Sequence, residues 1–202
     1  MKYLTVILLL CLASCKTWEL GDTYTQHIKA GEHYAKPINL EFTKMWGGLC
    51  TLEYDSDEMV DPVENFGYWS KLGGLMPDVT GNTGFHQSAR CAWRIDPDDT
   101  NFFYLGYIIY NGEVERGYLL DASGEKMSVP VGAEFDARVR NYGSHWGVSA
   151  KYGGQYAFKR YDVDLKKNKN DVVMDLYFGG NVPAPTDVYL TIEVVDTNWN
   201  WN

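Results

Sequence analysis

The stretch from His86 to Asp96 constrains the fold of this chain more than any other. Counted by twos, Ala89, Cys91, Trp93 and Ile95 fall on one side, while His86, Ser88, Arg90 and Arg94 fall on the other. Side chains alternate faces along a β-strand, so the pattern predicts a strand with one apolar face and one cationic, hydrogen-bonding face. The apolar face requires a second layer to cover it, and the polar face is where a ligand or a partner strand would meet the molecule.

The rest of the sequence repeats the alternating pattern in short runs. Strands are expected at Tyr24 to Ile28, His33 to Ala35, Ile38 to Phe42, Leu49 to Tyr54, Phe102 to Tyr110 and Glu113 to Leu120. Further ones are expected at Ser128 to Val131, Ala133 to Arg140, His145 to Ala150 and Gln155 to Tyr161. The last two, Val172 to Phe178 and Val188 to Val195, are expected as a pair joined by the Gly- and Pro-containing loop 179–187. Turn signals separate the runs, among them Ala30-Gly31 and the Asn111-Gly112 hairpin dipeptide. Twenty glycines, fifteen tyrosines and seven tryptophans fit a turn-rich β-protein, and no helical periodicity of useful length appears. Alternating strands, rather than uniformly apolar ones, exclude a buried parallel sheet. The expected class is all-β, an antiparallel β-sandwich in a single domain over residues 24–202. Residues 55–82 form the longest irregular stretch, placed either against a sheet edge or over a ligand face.

The first fourteen residues have the character of an exported lipoprotein's signal peptide. Lys2 precedes an apolar run from Thr5 to Leu12 that is too short to span a bilayer, and Leu12-Ala13-Ser14-Cys15 has the order of a lipobox. An ordinary secretory signal is the plainer alternative. With lipidation at Cys15, residues 15–23 become a tether and the domain is anchored without a transmembrane helix. Lys16 after that cysteine favours the outer membrane within the cell envelope. The formal charge of −9 excludes general affinity for nucleic acid, and Lys166-Lys167-Asn168-Lys169 is expected as a solvated hairpin tip. Cys50 and Cys91 occupy inward strand positions, as two buried thiols or as one disulfide.

Several segments resemble a known family. Ile28 to Tyr34 is similar to an I-K-x-G-x-H-Y opening, and Ser88 to Arg94 to an S-A-R-F-G-W-R motif with Cys91 and Ala92 replacing Phe and Gly. Tyr68 to Gly74 resembles an N-K-L-F/Y-G-F segment, from which Trp69-Ser70 departs. Tyr177 to Asp187 resembles Y-F-G-G-N-x-x-A-P-H-D, with Thr186 in place of His. Together they resemble an uncharacterised group of short, exported, often lipid-anchored Bacteroidota-type proteins. More distantly they resemble the concanavalin-like jelly roll of lectins, glucanases and polysaccharide lyases. That resemblance implies a jelly-roll fold and a glycan ligand.

Three functions follow as expectations. The first is a non-catalytic glycan-binding module using His86, Ser88, Arg90, Arg94 and Tyr104, with Trp146 as a further aromatic on that face. The second is a polysaccharide lyase or glycoside hydrolase. For a lyase, Arg90 or Arg94 would neutralise a uronate, His86 would act as base and Tyr177 or Tyr104 as acid. The Gln-x-His and Tyr-Asn-Gln segments of such lyases are missing, as is the Glu-x-Asp-x-x-Glu signature of the glucanases. The third is an envelope protein-interaction module. Against ligand contact stands a plain structural role in which Arg90 and Arg94 pair with Asp175, Asp136 or Glu134 on neighbouring strands. His33 is expected as a hydrogen-bonded structural histidine, and Asp187 as a cap for its own turn. A calcium site at Asn181 and Asp187 is the sharper alternative, although two oxygens fall short of a calcium shell. No cofactor is expected, because the chain holds no CxxC, HExxH, P-loop or dinucleotide fingerprint.

Overall fold

The computed structural model describes residues 20–36, 42–43, 45–59, 69–77, 87–163, 171–179 and 182–195. Among them every regular element is a strand. In chain order these are β1 (Thr23–Ile28), β2 (Phe42–Thr43), β3 (Met45–Tyr54), β4 (Ser70–Pro77), β5 (Gln87–Ile95), β6 (Phe102–Asn111) and β7 (Glu113–Tyr118). There follow β8 (Ser128–Pro130), β9 (Glu134–Asn141), β10 (His145–Tyr152), β11 (Gln155–Asp162), β12 (Asp171–Met174) and β13 (Val188–Glu193). Two antiparallel sheets face each other in a jelly-roll sandwich. The first has the order β1-β13-β3-β9-β10-β11. The second runs β2-β12-β4-β5-β6-β7, with β8 pairing β6 beyond the end of β7.

The period-two reading of residues 89–95 holds. Ala89, Cys91 and Trp93 are fully buried between the sheets, opposite Ile109, Tyr107 and Leu105 of β6. Trp93 sits at the centre, stacked on Tyr54 at 5.7 Å and edge-on to Phe103 and Phe178 at 6.2 and 5.9 Å. Aromatic pairs in offset or edge-to-face contact add to the burial of their own area, so this cluster fixes how the two sheets stack. Cys50 and Cys91 are buried free thiols, and burial pushes both pKa values up. The Asn111-Gly112 hairpin forms as expected, with Gly112 at φ +80°, where a side chain would strain the backbone.

Three expectations need correction. Residues 55–82 are not one irregular stretch, because β4 runs through them as an interior strand between β12 and β5. Its Gly73-Gly74 pair and a register shift between Lys71 and Gly73 break the alternation that would reveal it. The expected last pair is also not a pair: β12 belongs to the second sheet and β13 to the first, so loop 179–187 crosses between layers. Likewise β11 and β12 lie in different sheets and do not pair; Lys166 to Lys169, expected as a hairpin tip, lie outside the described residues.

Candidate functional site

The outer face of the second sheet carries the polar side of β5. Register pairing sets Lys71 of β4, Ala92 of β5, Gly106 of β6 and Tyr118 of β7 in one row across the strands. Beyond β4 the row continues through Tyr177, which bridges Lys71, and Tyr34, which bridges Tyr177. Backbone hydrogen bonds secure the first of these links: Lys71 N–H donates to the Tyr177 carbonyl at 2.8 Å, and Tyr177 N–H returns at 2.9 Å. The small residues at Ala92 and Gly106 leave a hollow in the middle of the row. Trp69 fills it, packing on Ala92 and Ile108 with Tyr110 and Tyr118 at its sides. A Cβ at Gly106 would overlap the indole, so glycine is what lets Trp69 lie down on the sheet.

Two cations stand on one side of that hollow. Lys71 Nζ lies 3.8 Å from the centre of the Tyr177 ring, and the Arg90 guanidinium carbon lies 5.3 Å from the centre of Tyr110. Tyr177 and Tyr34 also neighbour Arg90, which places the guanidinium among three tyrosines. Burial, and then the neighbouring Arg90, push the Lys71 ammonium down to about 8; burial pulls Arg90 down as well. Arg90 Nε is buried with no hydrogen-bond partner, and among the described residues no carboxylate lies within ion-pair distance of Lys71 or Arg90. The wall behind Lys71 is aromatic: Tyr177 stacks on His33 at 5.9 Å and meets Tyr34 at 4.8 Å. His33 Nδ1 is 3.1 Å from the Phe178 carbonyl. A carbonyl only accepts, so Nδ1 carries the proton and the ring is held by the backbone, as expected of a structural histidine.

Across the hollow lies a second cationic group. Arg94 Nη1 donates to Tyr118 Oη at 3.2 Å, while Arg94 Nε is buried without a partner among the described residues. Lys126 Nζ lies 4.2 Å from the Tyr118 ring centre and 5.1 Å from that of Tyr104. Tyr104 stands perpendicular to Tyr118 at 5.5 Å, and its bond to Asp96 pushes its hydroxyl up to about 12.

The carboxylate partners expected for Arg90 and Arg94 are elsewhere. Asp136 is held by Arg138 on its own strand at 2.7 and 2.8 Å, in the other sheet. Asp175 accepts from the Gln26 amide at 2.6 Å, and Glu134 pairs with Thr51 of β3 in the first sheet. Register pairing of those two arginines with these acids is therefore ruled out by topology. Of the expected ligand residues, Arg90, Arg94 and Tyr104 share the outer face. Ser88 faces the same way but is fully buried with its hydroxyl unexposed, and Trp146 is a correction outright, being fully buried in the sandwich core. His86 and Cys15 lie outside the described residues. Asp187 does not cap its own turn; its carboxylate takes the Ala30 N–H at 2.8 Å and the Tyr189 hydroxyl at 3.1 Å, which ties the loop to the Lys29–Glu32 turn. Asn181 is outside the described residues, and among those described no cluster of three or more His, Cys, Asp or Glu is placed to hold a metal ion.

Sequence reasoning missed Lys71, Tyr110, Tyr34, Trp69, Tyr118 and Lys126. Lys71 and Trp69 fell inside the stretch taken as irregular. The tyrosines are brought in by strand order and bridges, and no local pattern announces those.

The sandwich is similar to an alginate lyase. Superposed on the alginate lyase of Klebsiella pneumoniae, it gives a TM-score of 0.53 at 11% identity, covering 75% of this chain and 58% of that one. The chain thus spans less than two thirds of that enzyme, and at this identity the likeness is one of fold. Weaker likenesses are to a functionally unknown protein from Saccharomyces cerevisiae (TM-score 0.43, 10% identity, 89% of each chain) and to the CBM2 module of the evolved Dit of Lactobacillus casei BL23 phage J-1 (0.41, 10%, 86% of this chain and 70% of that one). No protein family and no curated protein matches the chain, so the resemblance drawn from its motifs stands on those motifs alone.

Proposed function

We propose that the domain is a non-catalytic module that binds an acidic glycan on the outer face of the second sheet. The observation that carries this reading is the pair Lys71 and Arg90, two cations without a carboxylate partner among the described residues, set among Tyr34, Tyr110 and Tyr177. In a chain with a formal charge of −9, paired cations on a sheet face mark a place kept for an anion. A guanidinium offers the forked donors that match a carboxylate, and the tyrosine rings offer flat apolar surfaces to the C–H faces of a sugar. A free phosphate would use the cations but not the rings. A glycan array with purified protein tests the reading. Acidic chains are expected to bind and neutral ones not, with Lys71→Ala and Arg90→Ala each weakening the signal; equal binding of neutral glycans, or indifference to both substitutions, would sink it.

A lyase is the second reading, supported by the presence of Tyr177 beside Lys71 and Arg90. Arg90 would neutralise the uronate carboxylate, His86, which lies outside the described residues, would take the C5 proton, and Tyr177 would give its proton to the leaving oxygen. Growth of ultraviolet absorbance from an unsaturated uronate product would favour it over simple binding. The module is proposed to work at the cell envelope, lipid-anchored through Cys15 and probing glycan outside the inner membrane. Cys15→Ser should release the protein from the membrane fraction, and a variant that stays bound would defeat the anchor.

A further inference from the structure

We propose that the same face holds a second anion subsite, formed by Arg94, Tyr118 and Lys126, so that the ligand is a linear polyanion lying across β4 to β7 and held at both ends. This deepens the acidic-glycan reading and rests on it. The first argument is spacing. Lys71 and Tyr118 occupy the same row, separated by β5 and β6. Three strand spacings amount to roughly 14 Å. No single sugar ring reaches from one cationic group to the other, whereas an oligosaccharide does.

The second argument is charge. Arg94 donates to the Tyr118 hydroxyl at 3.2 Å and leaves its Nε buried without a partner, and Lys126 stands 4.2 Å above the same ring. The nearest acid along β5, Asp96, is engaged elsewhere and makes no ion pair with Arg94: it takes the Asp98 N–H at 3.0 Å and the Tyr104 hydroxyl. Asp96 is thus taken up by its own loop and by Tyr104, and Arg94 and Lys126 lack an ion pair among the described residues. Asp96 and Asp98 still lower the local potential, so this subsite adds to the Lys71–Arg90 site and does not replace it.

The third argument is the floor between the two groups. Trp69, itself buried, fills the hollow over Ala92 and Gly106 and touches Tyr118 edge-on at 5.0 Å, so one packed cluster holds the two cationic groups on a common platform. Linking two weak contacts through one ligand multiplies their effect, because the second contact becomes intramolecular.

The test is calorimetric titration of the purified protein with oligogalacturonates from monomer to hexamer. Affinity should rise with length by roughly tenfold or more once the oligomer spans both groups. The Arg94→Gln/Lys126→Gln double variant should lose that gain for the hexamer and leave the monomer and dimer unchanged. Lys126 is exposed, so Lys126→Glu alone, which does not threaten folding, should weaken the hexamer selectively. Affinity that does not grow with length, or variants that weaken all lengths equally or none, would overturn the second subsite while leaving the first standing. Loss of every length in Arg90→Ala supports the first site; oligomers that bind with no dependence on Lys71 or Arg90 overturn the parent reading and this one together.

Discussion

Replacing Arg90 by Met should stabilise the fold while removing anion affinity, and the sign of that change separates a ligand contact from a structural arginine. The side chain leaves Nε buried without a partner, and burial already pulls its pKa down. An orphaned buried donor costs about 1–3 kcal/mol. Against this stands the contact with Tyr110 at 5.3 Å. Such a cation–π contact contributes about 0.5–2 kcal/mol. Met keeps the apolar stem and its packing on the tyrosines, so the two terms leave a net gain of about 1 kcal/mol. For a domain of this size that is a rise of about 2–4 °C in Tm. Thermal unfolding followed by circular dichroism reads it directly. Galacturonate oligomer should raise the Tm of the parent protein and leave that of Arg90→Met unmoved, since only a ligand that binds the native state shifts the midpoint. A structural arginine in a buried pair would behave in the opposite way, its removal costing about 3–5 kcal/mol. A Tm that falls by that amount would refute the reasoning.

Other outcomes follow from the same geometry. Binding of a uronate should weaken as pH rises through about 8, where Lys71 loses its proton. The folded-state value lies below that of an unfolded lysine, so protonation opposes folding below pH 8 and the penalty is relieved as pH rises toward the unfolded value; a bound carboxylate reverses this by favouring the charged form. Titration across that range should show proton uptake on binding, absent in Lys71→Arg, whose charge persists. Gly106→Ala should dislodge Trp69, because the added methyl overlaps both the indole and the Gly117 carbonyl. The expected overpacking cost is about 1–3 kcal/mol, with the affinity for long oligomers lost before that for short ones. Asp136→Ala breaks the buried bidentate pair with Arg138 and should cost about 3–5 kcal/mol in chemical denaturation, far above the effect of removing the exposed Asp162 beside Arg160.

Local patterning was enough to settle the class of the fold and the two faces of β5. Alternation of Ala89, Cys91, Trp93 and Ile95 against Ser88, Arg90 and Arg94 is a local property of an extended chain, so it survives without knowledge of neighbours. The same holds for most strand positions and for the turn at Gly112, where local backbone geometry decides the matter. What failed was whatever depends on parity or on partners. β4 stayed hidden because the register shift after Lys71 and the two glycines erase its period of two, and with it went Lys71 and Trp69. The pairing of residues 172–178 with 188–195 failed because closeness in sequence does not say which sheet a strand joins.

The role of Arg90 and Arg94 was undecidable from sequence for the same reason. Whether a charged side chain on a sheet is a rivet or a contact depends on what stands across from it, and cross-strand neighbours are set by strand order. The tertiary structure places Ile108 and Gly74 beside Arg90, and Tyr104 beside Arg94, and it draws Asp136, Asp175 and Glu134 away to other partners. Tyr34 and Tyr177 reach Lys71 only through a bridge between segments more than a hundred residues apart. Local chemistry therefore supplied the cations, and strand order alone decided that they would face tyrosines rather than carboxylates.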